Sequence, residues 1–477
     1  MKKSGVIARI ILAVVAAAII VGVMNYRPKS VQKEFTLCVT LSSDRALSCR
    51  AYYLKEGEED SKFSQTQSAS ASYSGDGEED TVEITLPYTA SVIRFDPATE
   101  ACDVHISSVE LKHEGETITT FSLDDDLTDE QDAVITEDED GYNISLTGDD
   151  GYLVFTPVDT DEMEAAIDRI DAEIAAQPLS ATDILLRVLV SVGVGLVFLL
   201  LIVRLDSIIA IPKEIFGNMR LVMALGKNDF KNKFAGSFFG TFWAFVQPII
   251  TVFVYWFVFE KALNAGTQAT KGGIAVPYVL WLLSGLVPWF FFQDAVSTGA
   301  SALIEYTYLV KKVVFKVSCL PVVKIVSSLY VHFFFIGFTI LMFTLYGMFP
   351  GAYTLQLFYY SFALLINVTG IVYMASAITA FFRDMRQIVN IGLQVGVWFT
   401  PIMWNIDSMN VSGALLIILK ANPLYYIVMG YRDSLINQVW FWQRPGITLY
   451  FWMVTILLFV LGTHVFKRLQ PHFADVL

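Results

Sequence analysis

Residues 184–203 read ILLRVLVSVGVGLVFLLLIV, an apolar run interrupted by Arg187. At about 1.5 Å per helical residue it is long enough to cross about 30 Å of hydrocarbon. The chain differs in kind on its two sides. Residues 31–182 hold 36 of the 47 acidic residues but 8 of the 33 lysines and arginines, a net of −28 that leaves +14 for the rest. Further apolar runs follow near 236–259, 277–298, 322–346, 355–381, 387–404 and 447–466. Another, VIARIILAVVAAAIIVGVM at 6–24, stands behind Met1, Lys2 and Lys3. It outruns the roughly 7–15 apolar residues of a cleavable signal core, so it reads as an anchor. Eight spans are therefore expected around an acidic soluble insertion. The 54% hydrophobic content and mean hydropathy of +0.52 agree. A pI near 4.9 removes the basic field that nucleic-acid binding requires.

Basic residues fix the expected orientation. Arg204, Lys213, Arg220, Lys227, Lys231, Lys233, then Lys311, Lys312, Lys316, then Arg383, Arg386, then Lys467, Arg468 all fall between spans on one side. The positive-inside rule places that side and both termini in the cytoplasm, and residues 30–182 outside the membrane. Six regions are expected: an anchor helix at 1–29, a β-sandwich at 30–158, a helical stalk at 159–182, a second membrane helix at 183–204, a cytoplasmic amphipathic helix at 205–234 and a six-span core at 235–477. Within the core, 405–440 is broken by Asn422-Pro423 and reads as two re-entrant half-helices.

The outer region alternates apolar and polar residues, as in Val82-Ile84-Leu86 and Val104-Ile106, between turns such as SGDGEED and TGDDG. That is the pattern of an antiparallel sandwich. Ile167, Ile170 and Ile174 recur at helical spacing in the stalk. Among Cys38, Cys49, Cys102 and Cys319 the possible outer pairs are Cys38 with Cys49 or Cys49 with Cys102. The run DDD at 124–126 and EDED at 137–140 lack EF-hand spacing and read as a solvated acidic face.

Chemistry-bearing motifs are missing. There is no GxxxxGK[ST], GxSxG or HExxH, and the five histidines are scattered. The chain is not expected to be an enzyme, to hold a metal or cofactor, or to be its own ATPase. Paired intramembrane carboxylates, the mark of a proton-coupled carrier, are missing too.

Five ordered blocks carry a resemblance over residues 219–470. They are MALGKNDFKNKFAGSFFGTFWAFVQPI at 223–249, LLSGLVPWFFF at 282–292, LVKKVVFKVSCLP at 309–321, FFRDMRQIVNIGLQVGVWFTPIMW at 381–404 and ANPLYYIVMGYRDSLI at 421–436. Together they resemble the membrane subunit of ABC-type polysaccharide and polyol-phosphate exporters, which include O-antigen and teichoic-acid exporters. The matching positions include Trp243, Pro248, Arg383, Asp384, Pro401, Asn422, Pro423 and Arg432. Lys316 stands where the family's first proline is common. The run at 92–111 is similar to the closing strands of jelly-roll, galactose-binding-like modules.

The resemblance implies a six-helix exporter core working as a homodimer with two copies of a separate ABC ATPase, on which ATP and Mg are bound. Leu309, Val310, Lys311, Lys312 and Phe315 are the expected ATPase contact. The helix carrying Arg220, Lys227, Asp229 and Lys231 is the expected gate. Sugars stack their C–H faces on aromatic rings, which makes Tyr255, Trp256, Trp289, Phe292, Trp398 and Trp404 candidates for lining a glycan path. The cargo is then a polysaccharide, undecaprenyl-linked or otherwise lipid-carried, and the sandwich a candidate glycan binder. The alternatives are a polytopic envelope glycosyltransferase or polymerase, and an ABC exporter of drugs or small lipids.

Overall fold

In hydrocarbon every backbone N–H and C=O must be satisfied within the chain, so long apolar runs fold as helices. The computed structural model describes residues 3–26, 34–55, 62–63, 67–75, 77–124, 126–138, 140–148, 150–155, 159–176, 181–233, 236, 238–262, 268–269, 275–311, 316–406 and 413–477. Among these, seven helices are long and apolar enough to cross a membrane: Val6–Asn25, Asp183–Asp206, Gly240–Ala262, Tyr278–Ala300, Val317–Leu345, Ala352–Phe381 and Pro445–Val476. The chain forms two compact units. One comprises 1–26, 179–265 and 278–477, the other 27–178 and 266–277. It is a polytopic helical membrane protein with a separate β domain.

In the β unit, β4 (Asp80–Pro87), β1 (Glu34–Ser42), β6 (Asp103–His113), β10 (Gly141–Leu146) and β9 (Ala133–Asp138) form one sheet in that order, with β7 (Glu116–Phe121) also on β6. The second sheet runs β3 (Ser68–Tyr73), β2 (Leu47–Lys55), β5 (Ala90–Asp96), β11 (Tyr152–Phe155), β8 (Leu127–Gln131). All pairings in both are antiparallel. Phe35, Leu37, Val39 and Leu41 share one core with Ala51, Tyr53, Ile93, Phe95, Leu153 and Phe155. On β6 the buried positions are Val104 and Ile106, then Val109, Leu111 and His113. The phase changes because the register slips between Ile106 and Ser108, a bulge that re-aims the strand.

Two expectations change here. The helix α2 (Thr160–Ala176) does not stand free, because Met163 and Ile167 are buried in the sandwich core and His113 Nε2 meets Asp171 at 3.0 Å. The apolar spacing that suggested a stalk serves this packing. All four cysteines are free thiols, so neither of the two possible outer pairs is formed. Leu37 and Val39 are core residues, which sends Cys38 between them to the opposite face. Cys49 instead donates to the Pro97 carbonyl at 3.1 Å, and burial, with Cys102 nearby, pushes its thiol up to about 12.

In the helical unit α1 (Lys3–Asn25) lies against α3 (Ala181–Gly217), with Ala16, Val194 and Phe198 buried between them. The pair is pinned towards both ends: Arg9 meets Asp206 at 2.8 Å, and Arg187 donates to the Met24 carbonyl at 2.9 Å. The expected boundary at 204–205 is not a break. Apolar residues continue at helical spacing through Ile211 and Ile215, so α3 runs through Pro212 and ends at Gly217. The amphipathic region at 205–234 therefore divides between the end of α3 and α4 (Met219–Asn232).

The run at 387–404 also differs. It forms α11 (Met385–Phe399), 15 residues long, because Thr400 precedes Pro401 and takes an extended conformation. Beyond it lie two short helices, α12 (Gly413–Ala421) and α13 (Pro423–Arg432). The Asn422 side chain accepts from the Leu424 amide at 3.0 Å, and Pro423 occupies the first turn, where its missing N–H costs nothing.

The other long helices are α5 (Trp243–Trp256), α6 (Tyr278–Ala300), α9 (Leu320–Leu345), α10 (Gln356–Phe381) and α14 (Pro445–Leu469). Helices α10 and α14 touch backbone to backbone at Gly370 and Gly462, where a Cβ on Gly462 would lie 2.0 Å from the Gly370 oxygen. Gly462→Ala should therefore cost about 1–3 kcal/mol by overpacking. Gly392→Ala, where nothing lies within 4 Å, is the control. Thermal unfolding of the two variants in detergent checks this; equal midpoints would contradict the close approach.

Candidate functional site

A buried arginine organises one end of the helical unit. Arg432, at the end of α13, is 1% exposed. Its Nη1 donates to the Pro401 carbonyl and its Nη2 to the Ile402 carbonyl, each at 2.8 Å, and the guanidinium lies 3.6 Å from the Trp281 ring centroid. Tyr278 donates to the next carbonyl, Met403, at 2.7 Å, and Asn422 reaches Thr400 at 2.8 Å. The residues that interrupt α11 thus have their backbone oxygens satisfied by side chains from α6 and α13. Four positions of the sequence motifs meet here: Pro401, Asn422, Pro423 and Arg432. Arg383 and Asp384 sit apart, exposed at the turn between α10 and α11. Trp243 is 43% exposed at the start of α5, which contains Pro248.

The second centre is ionic, and sequence reasoning missed most of it. Lys324 of α9 lies 2.6 Å from Asp229 of α4 and 2.6 Å from Glu305, the last residue of the short helix α7 (Ala302–Glu305). Tyr306 donates to the same Asp229 oxygen at 2.6 Å, and the Lys324 ammonium sits 5.1 Å from the Tyr306 ring centroid. Burial and the adjacent Asp229 carboxylate raise the Tyr306 phenol well above its ordinary range, so it stays a donor. A lysine 8% exposed is tolerable because two carboxylates and an aromatic face replace its water. Removing such a buried partner costs about 3–5 kcal/mol. Nearby, Lys233 pairs with Asp294 of α6, whose other oxygen accepts from Ser328 of α9 at 2.7 Å. Glu214, near the end of α3, pairs with Lys467 at 2.8 Å and with Ser318. Against the opposing effect of burial, those two partners hold its carboxyl below the usual range.

Of the expected gate residues, Asp229 faces this cluster while Arg220, Lys227 and Lys231 are exposed. Of the expected ATPase contact, Lys311 is exposed, but Val310 is buried and Leu309 packs beside it in the cluster formed by Ile211, Leu303, Leu320 and Tyr373. Tyr308, 59% exposed, is the apolar side chain that α8 (Thr307–Val310) presents outward. Lys312 and Phe315 lie outside the described residues. Lys316 is extended and precedes a short turn of helix.

The aromatic candidates do not form one group. Trp289 and Phe292 are neighbours on α6 with centroids 5.7 Å apart, and Trp289 abuts Gly396 of α11. Trp398 is 56% exposed on α11, and its carbonyl accepts from the Trp404 indole at 3.2 Å. Tyr255 and Trp256 lie on α5, half-buried, with Trp256 beside Phe253 and Lys261. Deeper in the unit, His332 Nε2 is within hydrogen-bond distance of Ser361 and Tyr431, at 3.1 and 3.2 Å. Among the described residues no group of three or more His, Cys, Asp or Glu side chains is placed to hold a metal ion.

Comparison with known proteins covers the same part of the chain. Residues 220–436 match the family described as ABC-2 type transporter. They belong to it. The ABC-2 region spans α4 to the turn after α13, so it contains both the arginine clamp and the lysine cluster, and it bears out the resemblance read from the five blocks. The O-antigen export system permease protein RfbA of Klebsiella pneumoniae is 25% identical over 260 residues, 54% of this chain and 95% of that protein. The protein of the same name from Myxococcus xanthus is 24% identical over 270 residues, 56% of this chain and 99% of that one.

Arg432→Lys should lower stability by about 2–4 kcal/mol, since an ammonium cannot hold two carbonyls in a planar fork and lie flat on an indole. A detergent melting curve superimposable on wild type would contradict the clamp.

Proposed function

We propose that this chain is the membrane subunit of an ATP-driven exporter that moves a polysaccharide, carried on a lipid such as undecaprenyl phosphate, from the cytoplasm to the cell surface. The observation that supports it best is the coverage: the similarity to O-antigen export permeases extends over 95–99% of their length. It falls on a helical unit with the family's core elements.

A chain with no phosphate-binding loop draws its free energy from elsewhere, here from two copies of an ABC ATPase that carry ATP and Mg. Tyr308, Lys311 and Lys312 form the contact, on the cytoplasmic side together with both termini. Two copies of the chain form the path, with Trp289, Phe292 and Trp398 among its aromatic lining, and the segment 405–440 is re-entrant at the outer side. The sandwich stands outside the membrane and receives the emerging polymer. Its net charge favours a neutral glycan over an anionic one such as teichoic acid.

The purified chain should show no specific ATP hydrolysis and should gain it with its ATPase. Lys311→Glu combined with Lys312→Glu should reduce co-purification of that ATPase at least about tenfold by reversing charge at the contact, without loss of membrane insertion. Specific turnover by the pure chain, or unchanged co-purification, would contradict this assignment.

Deleting residues 31–177 and joining the flanks by a flexible linker should leave the helical unit folded, with ATPase activity retained and export reduced. Normal export by the deletion, and no calorimetric binding of the host's neutral envelope polysaccharide by the full chain, would make the sandwich a spacer.

A further inference from the structure

We propose that Lys324 is the relay through which movement of the 302–311 segment reaches α4, an inference that rests on the exporter reading above. The segment packs on α4 through Tyr306, which lies against the cluster of Val222, Val323 and Val326, and its polar contact with α4 is made at Asp229. Asp229 Oδ1 takes both the Tyr306 hydroxyl and the Lys324 ammonium at 2.6 Å, and the same ammonium holds Glu305 at 2.6 Å. Glu305 and Tyr306 are consecutive residues of the segment, so one displacement changes both routes to Asp229.

The two legs of the lysine differ. Asp229 is 11% exposed and Glu305 is 50% exposed. The Glu305 leg is therefore the one that an adjacent protein can load or release, while the Asp229 leg stays out of water. If the carboxylates separate, one ammonium cannot neutralise both, and the uncompensated charge is left beside apolar packing. The α4 side of the seam is stiff. Gly226, one turn before Asp229, lies so close to α9 that a Cβ would come 2.6 Å from Val326 Cγ1, and Val222, Val323 and Val326 are buried together. Phe230 adds a ring contact to Tyr330 at 5.5 Å. A shift of Glu305 thus acts on an α4–α9 pair rather than on a loose side chain. A lysine serving topology alone would be free at the membrane face; this one has no solvent-facing reach.

The test is Lys324→Met in the full-length chain, reconstituted with the ATPase that co-purifies with it. Expected is an ATPase still bound and hydrolysing within about twofold of wild type, export reduced at least about tenfold, and recovery of at least about half by Lys324→Arg. A nitroxide at Lys227→Cys, on the exposed face of α4 and with Cys102→Ser in the background, should be more mobile in Lys324→Met than in the parent. Wild-type export by Lys324→Met would overturn the relay. So would joint loss of ATPase binding and export with the nitroxide unchanged. If Lys324→Met fails to insert, Glu305→Gln replaces it, and there wild-type export with an unaltered nitroxide would overturn the proposal. If no ATPase co-purifies with the wild-type chain, the exporter reading fails, and the nitroxide comparison alone decides whether Lys324 holds α4.

Discussion

The fold of the helical unit depends on how it satisfies backbone oxygens where helices stop inside an apolar setting. Residues 400–403 are the clearest case. Three consecutive carbonyls there are taken by Arg432 and Tyr278. The guanidinium is held flat by Trp281, and Gly285 has no side chain that would crowd Ile402 and Arg432. An interrupted helix exposed to lipid would leave these groups unpaired at a cost of several kcal/mol each. The clamp turns the interruption into a fixed joint between α6, α11 and α13, which is what permits short helices beside long ones.

The second ionic layer has a different character. Lys324 with Asp229 and Glu305, Lys233 with Asp294, and Lys467 with Glu214 each join separate elements and place charge between helices rather than on them. Of these only Lys324 and Asp229 are both largely buried, and such a pair contributes little net stability because desolvation offsets its attraction. What it supplies is geometry: either partner is costly to leave alone, so the pair fixes α4 against α9. The arginine clamp and the lysine cluster thus divide the labour, one fixing a joint within the α6, α11 and α13 group and the other linking α4, α7 and α9.

Much of the fold was legible because hydrocarbon imposes long apolar runs and half-buried strands impose alternation. Residues 6–24 and 184–203 became helices, and Val104-Ile106 an inward strand face, for those reasons. The misreadings have local causes. The boundary read at 204–205 is no break, since apolar spacing continues through Pro212 to the end of α3, whereas α11 does end before Pro401. In α2 the spacing of Ile167 was seen, but spacing cannot name the surface it packs on. Leu309 and Val310 belong to a four-residue helix, too short for periodicity to reveal which side faces inward. The lysine cluster was invisible as a group: Lys324 lies 95 residues from Asp229 and 19 from Glu305, and no spacing rule links them. Asp229 was singled out as a gate residue and Lys324 noted near a span end, yet only the packing of α4 on α9 brings them together.

The central claim is that this helical unit passes a lipid-linked glycan when an ABC ATPase drives it. The most direct measurement uses inside-out membrane vesicles carrying the full-length chain and its ATPase, loaded on the outside with the host's lipid-linked polysaccharide. The account predicts ATP-dependent accumulation of polymer in the lumen, protected from added glycosidase and abolished without ATP. Protection that appears without ATP, or polymer that stays fully accessible while ATP is consumed, would contradict it.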